Sequence, residues 1–273
     1  MKDKILYVSD LDGTLLRSDE KTSTYTNATI NTLVEQGILF SYATARSFVT
    51  SSKVTAGLYA KFPVIVYNGA FVINNNSDDI IASNFFSRND VDYISSQLVQ
   101  QGINPIVYSL LDNKERFSYC SKKVNTQTAG FLNSRKGDVR DNPVDSLQEL
   151  LWGDIFYFTC IDATEKLKPV YELLKETFNC VFHRDIYSGE QWLEIMPLNA
   201  TKACTILQLK ELLGCNKVIS FGDGKNDISM FQISDECYAV ENAVDELKVI
   251  ATGIIGNNDN DSVAKWLAEN AIV

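Results

Sequence analysis

The sequence predicts an α/β protein: a doubly wound parallel sheet into whose chain a second domain of α+β class is inserted. Three observations predict this. Apolar strand-like runs alternate with helical periodicity toward both ends of the chain, the pattern of βαβ units with right-handed crossovers. From about Ser83 the pattern changes to helices among strands with antiparallel spacing, and it reverts near Met196-Pro197-Leu198-Asn199. Acidic, glycine-containing loops follow two of the outer strands, and in open parallel sheets ligands bind just beyond the carboxyl ends of strands.

The first strand is the run Ile5-Leu6-Tyr7-Val8, ending in Ser9-Asp10-Leu11-Asp12-Gly13-Thr14. Ile30, Leu33 and Val34 recur at helical spacing between Asn27 and Gln36, with Gly37 as C-cap. The next strand, Ile38–Ala43, leads into Thr44-Ala45-Arg46-Ser47 and a helix to about Tyr59. Val64–Tyr67 is the third strand, and Asn68-Gly69 opens a hairpin with arms Ala70–Ile73 and Ile80-Ile81. The middle region reads as helix Val91–Gln101, strands Ile106–Leu110 and Arg116–Cys120, a helical stretch Lys122–Asn133, and a polar loop Ser134–Asn142. Strand Ile155–Ile161, helix Glu165–Phe178 and strands Cys180–Arg184 and Gln191–Ile195 come next. The parallel pattern resumes with helix Thr201–Leu213, strand Lys217–Phe221, the loop Gly222-Asp223-Gly224-Lys225-Asn226-Asp227, strand Cys237–Val240 and helix Val263–Glu269.

Composition narrows the chemistry. At 273 residues, 45% of them hydrophobic, the chain can bury one large core or two modest ones. A net charge of -10, from 35 acidic against 25 basic residues, disfavours nucleic-acid and anionic-lipid partners. No apolar run approaches the roughly 18 residues of a membrane span. The chain reaches Asp10 before any signal-peptide apolar region, so a cytoplasmic location is expected, with a monomer as the default. The six cysteines contain no Cys-x-x-Cys pair and read as core residues or inert thiols. His183 is the only histidine, in a strand-like run, which excludes a multi-histidine metal site. Carboxylates must therefore carry any chemistry.

Asp10 and Asp12 can divide labour at a strand end: one attacks or holds a metal, while the other moves protons. Background frequencies produce Asp-x-Asp-Gly-Thr on the order of once in a few hundred chains, and its place after a buried strand makes chance rarer. Gly13 lets backbone amides approach an anion, and Thr14 can cap the segment after it. Thr44 ends the second strand at the same mouth, although a helix N-cap would explain it equally well. Lys202 opens a helix, where a cation opposes the macrodipole and suggests an anionic partner. Glycines on both sides of Asp223 free the backbone to aim it into the mouth, and Asp227 starts a helix four residues later; hard oxygen ligands suit Mg²⁺.

Taken in order, Asp10-Leu11-Asp12-Gly13-Thr14, Thr44, Lys202 and Gly222–Asp227 resemble the four motifs of the haloacid dehalogenase superfamily. More narrowly, the chain resembles the Cof-type phosphatases, whose C2B-type α+β cap lies between the third core strand and the lysine motif. The resemblance spans essentially the whole length, including Asn68-Gly69-Ala70, Leu193-Glu194-Ile195 and Asn242-Ala243. Two departures are Ala45, where Ala-Thr-Gly-Arg is usual, and Ala203, where a glycine usually follows the lysine; both replacements are small. The resemblance implies a Rossmann-like catalytic core of residues 1–83 and 198–273 and a specificity cap of residues 84–197.

It further implies a Mg²⁺-dependent phosphatase acting on a small phosphorylated metabolite, with sugar phosphates the leading class. Asp10 would be the nucleophile and Asp12 the acid and base. Asp10, Asp12 through its backbone carbonyl, Asp223 and Asp227 would hold the metal. Thr44, Lys202, Asn226, Arg46 and the amides of Leu11 and Ala45 would bind phosphate or substrate. In the cap, Tyr108, Tyr119, Arg184 and Tyr187 are unranked candidates for substrate contact. A phosphohexomutase is the alternative enzyme; a phosphoaspartate signalling switch or a phosphate-binding protein is the alternative from another class.

Overall fold

The computed structural model describes residues 3–77, 79–184 and 189–272, so Tyr187 lies outside the described residues. The chain forms two compact units, one of residues 1–83 with 199–273 and one of residues 84–198.

The first unit begins with β1 (Ile5–Ser9), α1 (Thr24–Glu35), β2 (Leu39–Tyr42), α2 (Phe48–Val54) and β3 (Pro63–Val66), followed by β4 (Phe71–Asn74) and β5 (Ile80–Ser83). Every residue of β1 is buried, as a strand paired on both edges and covered on both faces demands. Ser23 starts α1 by accepting the Thr26 N–H at 3.0 Å, and Ser47 starts α2 by accepting the Thr50 N–H at 3.2 Å. The sequence predicts a second helix reaching about Tyr59, but α2 stops at Val54. Asn31 of α1 takes over the chain beyond it: its Oδ1 accepts the N–H groups of Tyr59 and Ala60, both at 3.0 Å, and its Nδ2 donates to the Gly57 carbonyl at 2.9 Å.

The second unit runs α3 (Arg88–Gln100), β6 (Ile106–Leu111), β7 (Lys114–Cys120), α4 (Thr126–Ser134), β8 (Asp141–Val144), α5 (Leu147–Leu150), β9 (Asp154–Ile161), α6 (Thr164–Leu174), β10 (Asn179–Arg184) and β11 (Gln191–Met196). Its six-stranded sheet has the order β10-β11-β9-β6-β7-β8, antiparallel except for the β7–β8 pair. Val91, Ile94 and Leu98 of α3 and Leu167, Val170 and Leu174 of α6 repeat at helical spacing and are buried with Val107, Phe158, Leu193 and Ile195 of the sheet. β8 begins inside the stretch that reads as a polar loop, at Asp141 and Asn142, and runs past its end.

The chain then returns to the first unit with α7 (Lys202–Leu212), β12 (Lys217–Gly222), α8 (Ile228–Ile233), β13 (Glu236–Ala239), α9 (Asp245–Ile250), β14 (Gly253–Ile254) and α10 (Ser262–Asn270). The core sheet has the order β14-β13-β12-β1-β2, all parallel. β1 lies between β12 and β2, so chain segments far apart in sequence deliver their strand ends side by side. The expected third parallel strand, β3, instead pairs antiparallel with β4 and joins the core sheet by one parallel bridge, Ala43–Ile65. Among the described residues no helix is long and apolar enough to cross a membrane, and the six cysteines are free thiols.

Candidate active site

The carboxyl ends of β1, β2, β12 and β13 share one edge of the core sheet. The Asp10 N–H still donates to the Phe221 carbonyl at 2.9 Å, so sheet pairing fixes the backbone up to that residue. The chain then turns through Leu11–Leu15, closed by the Leu16 N–H on the Leu11 carbonyl at 2.8 Å. Gly13 has φ +76°, and a Cβ there would lie 2.5 Å from Asp223 Oδ2. Only glycine lets the loop after β1 touch the loop after β12 this closely. Thr14 adds a hydroxyl bond to Asp223 Oδ1 at 2.7 Å.

The loop after β12 is organised by Asp227, which is fully buried. Its Oδ2 accepts the N–H groups of Asp223 and Gly224, each at 3.0 Å, and its Oδ1 accepts Lys202 Nζ at 2.7 Å. Lys202 also donates to Asp10 Oδ1. Thr201 places this lysine at the first position of α7 by accepting the Cys204 N–H at 3.0 Å. The start of α7 is pinned in turn by the Asn68-Gly69 turn: Thr205 donates to the Gly69 carbonyl at 2.9 Å, and a Cβ on Gly69 would come within 2.5 Å of the Thr201 carbonyl oxygen.

One buried ammonium thus faces two buried carboxylates, with Asp223 beside them. Burial pushes the Asp10 carboxyl well above the usual range; Lys202 pulls it down, and Asp227 and Asp223 push it further up. Burial raises Asp223 to about 6 against the Thr14 hydrogen bond. Burial alone would lower Lys202, but Asp10 and Asp227 outweigh it and hold the ammonium above lysine's usual range. Asp10, Asp223 and Asp227 each offer an oxygen within 4.8 Å of the others. Three carboxylates against one ammonium leave uncompensated negative charge on hard oxygen donors, which fits a small divalent cation such as Mg²⁺.

Thr44 is buried at the end of β2, where its N–H donates to the Ile65 carbonyl at 2.9 Å. It is not the N-cap of α2, since Ser47 fills that place. Its hydroxyl oxygen instead accepts the Arg46 N–H at 3.1 Å. Asp12 turns its carboxylate to Arg46 and not to the Lys202 group; Arg46 Nε lies 3.0 and 2.9 Å from its two oxygens. Glu20 is a second partner of Arg46, with Oε2 3.1 Å from Nη2. Leu11 is buried, whereas Ala45 and Asn226 lie exposed on their loops.

The sequence-predicted residues therefore fall into two connected groups. Asp10, Lys202, Asp227 and Asp223 form one, and Asp12, Arg46 and Thr44 form the other. Two contacts escape the sequence reading: the bond from Thr14 to Asp223, and one from Asn242 Nδ2 to the Gly13 carbonyl at 2.7 Å. The signal for the second was Asn242-Ala243, which the sequence marks only as part of the family resemblance, with no partner. In the second unit Tyr108 is buried, Tyr119 half-buried and Arg184 exposed.

Residues 7–267 match the family described as haloacid dehalogenase-like hydrolase. A Bacillus subtilis relative named 5-amino-6-(5-phospho-D-ribitylamino)uracil phosphatase YitU is 24% identical over 97% of this chain and 96% of its own. The solved structure of TM0651 from Thermotoga maritima superposes with a TM-score of 0.80 at 23% identity, covering 100% of this chain and 99% of that one. That of the HAD subclass IIB sugar phosphatase BT4131 gives 0.71 at 20% identity over 97% and 98%. Both structures show the same fold, and the family match spans nearly all of the chain with its ordered acidic and lysine motifs. The chain belongs to the haloacid dehalogenase-like hydrolases.

Proposed function

We propose that the protein is a Mg²⁺-dependent phosphatase that hydrolyses small phosphomonoesters, sugar phosphates foremost, through an aspartyl-phosphate on Asp10. The observation that carries this reading is the Asp10 carboxylate itself: buried at a strand end, paired with Lys202, and within ligand distance of Asp223 and Asp227. Asp10, Asp223 and the Asp12 backbone carbonyl would hold Mg²⁺, with Asp227 in support. When bound, the ion supplies the positive charge that lets an anionic carboxylate meet an anionic phosphate.

Asp10 attacks phosphorus, and the bond from phosphorus to the leaving oxygen breaks. Asp12 gives its proton to that oxygen, for which its carboxyl must leave Arg46 and turn to the substrate. Water then attacks phosphorus, Asp12 takes the water's proton, and the bond from Asp10 to phosphorus breaks. Lys202 and the Thr44 hydroxyl hold the phosphoryl oxygens, helped by the amides of Leu11 and Ala45 and by Asn226. Because Thr44 accepts from the Arg46 N–H, its own hydroxyl hydrogen is available to donate. Residues 84–197 would supply contacts to the leaving group.

Support for the substrate class comes from two relatives, one named for a phosphoribityl compound and one for sugar phosphates. Both names point to phosphate on a polyhydroxylated carbon chain. The test is phosphate release from hexose, pentitol, nucleoside and aryl phosphates, with Mg²⁺ and with EDTA. Mg²⁺-dependent release that is fastest on sugar or polyol phosphates is expected; release untouched by EDTA, or none from any compound, contradicts the proposal.

A further inference from the structure

Asn242 lies after β13 on an exposed turn, yet its side chain reaches the loop that carries Asp10 and Asp12. Its Nδ2 donates to the Gly13 carbonyl at 2.7 Å, and its Oδ1 accepts the Asn258 N–H at 3.1 Å. Both ends of the amide are therefore committed, which fixes its orientation. Asn258 is buried and donates its own Nδ2 to the Leu16 carbonyl at 2.9 Å. The turn Leu11–Leu15 is thus held at its middle and just past its end by one connected pair of asparagines. On the other side Gly13 abuts Asp223, and Thr14 bonds to it. The Gly13–Thr14 peptide is planar, so fixing its carbonyl also fixes the direction of the Thr14 N–H and one end of the Asp12–Thr14 segment.

We infer that Asn242 is a positioning residue for the hydrolytic reaction, clamping the Asp12–Thr14 loop through the Gly13 carbonyl. Its kinetic consequence rests on the phosphatase reading above; its structural consequence does not. Because Asn242 is exposed, replacing it removes two hydrogen bonds and little buried surface. A misplaced reacting group costs up to about 10²-fold in rate.

The test compares wild type, Asn242→Asp and Asn242→Ala. The aspartate has the same shape and keeps an acceptor for Asn258, but it turns an acceptor toward the Gly13 carbonyl. Three quantities are read: kcat and KM with an aryl phosphate, amide hydrogen exchange by mass spectrometry, and the thermal midpoint. Expected are faster exchange confined to residues 11–16 and, in Asn242→Ala, the Asn258 amide that loses its acceptor, a kcat lower by about 10- to 10²-fold, and a KM within about two-fold of wild type. The midpoint should move little. Unchanged exchange over residues 11–16 overturns the inference whatever the activity, as does faster exchange with unchanged kcat. Faster exchange spread through the whole core unit, with a falling midpoint, also overturns it, since Asn242 would then be serving stability alone. If wild type shows no phosphate release that depends on Asp10, the phosphatase reading fails, and local exchange alone decides whether Asn242 clamps the loop.

Discussion

The guanidinium of Arg46 holds the carboxylate of Asp12, with Nε 3.0 and 2.9 Å from its two oxygens and Nη2 2.6 Å from one of them. The Asp12 side chain is 49% exposed, so this rim pair adds at most about 1 kcal/mol to stability. Its effect belongs in the kinetics. General acid and base action contributes about 10²–10⁴ in rate, and Asp12 can supply it only after leaving Arg46. Arg46→Ala removes that restraint, so it should slow a sugar phosphate by no more than an aryl phosphate, whose leaving group needs little protonation. Parallel kinetics on the two substrates check this; equal losses on both would assign Arg46 to phosphate binding, and a loss confined to the sugar phosphate would contradict the release of Asp12 from Arg46.

Lys202→Met removes the one ammonium between Asp10 and Asp227. Breaking a buried pair from one side costs about 3–5 kcal/mol, because the remaining charge has no compensation. A lower unfolding midpoint in urea and a loss of phosphate release of about 10²–10³-fold are expected together.

Gly13→Ala combines two faults: a left-handed backbone at φ +76° and a Cβ 2.5 Å from Asp223 Oδ2. The backbone term alone costs about 1–2 kcal/mol. The variant should melt lower than wild type and lose affinity for Mg²⁺ in calorimetric titration, because Asp223 must move.

Asp138 contributes to the acid stability of the second unit. The Arg140 guanidinium, 2.9 and 2.7 Å from its oxygens, draws the carboxyl down from 3.8 to about 2. A pKa depressed on folding stabilises the folded state above the unfolded value, and the benefit disappears as pH falls through the folded one. Wild type should therefore exceed Asp138→Asn in urea resistance above about pH 4, and the gap should close toward about pH 2. Denaturation curves across that range check it.

Local sequence made the parallel core and its strand-end residues legible because their signals are local. Ile5–Val8 is a continuous apolar run, and the acidic loops carry glycines beside the aspartates. What escaped depends on partners far along the chain. α2 ends where Asn31 captures the backbone at Gly57, Tyr59 and Ala60, an event invisible to periodicity within the segment. β8 contains Pro143 and is built by pairing with β7, and β14 is two residues long, too short for any pattern. Arg46 read as a phosphate or substrate contact until the fold brought it to Asp12, 34 residues away. Asn242 and Gly13 are 229 positions apart.

Asp10 as the nucleophile is tested most directly by phosphate release from a sugar phosphate and an aryl phosphate by wild type and Asp10→Asn, each with Mg²⁺ and with EDTA. Wild type should release phosphate only with Mg²⁺, and Asp10→Asn should lose at least about 10⁴-fold on both substrates if Asp10 is the nucleophile. An Asp10→Asn protein that turns over at the wild-type rate, or a wild type indifferent to EDTA, would contradict it.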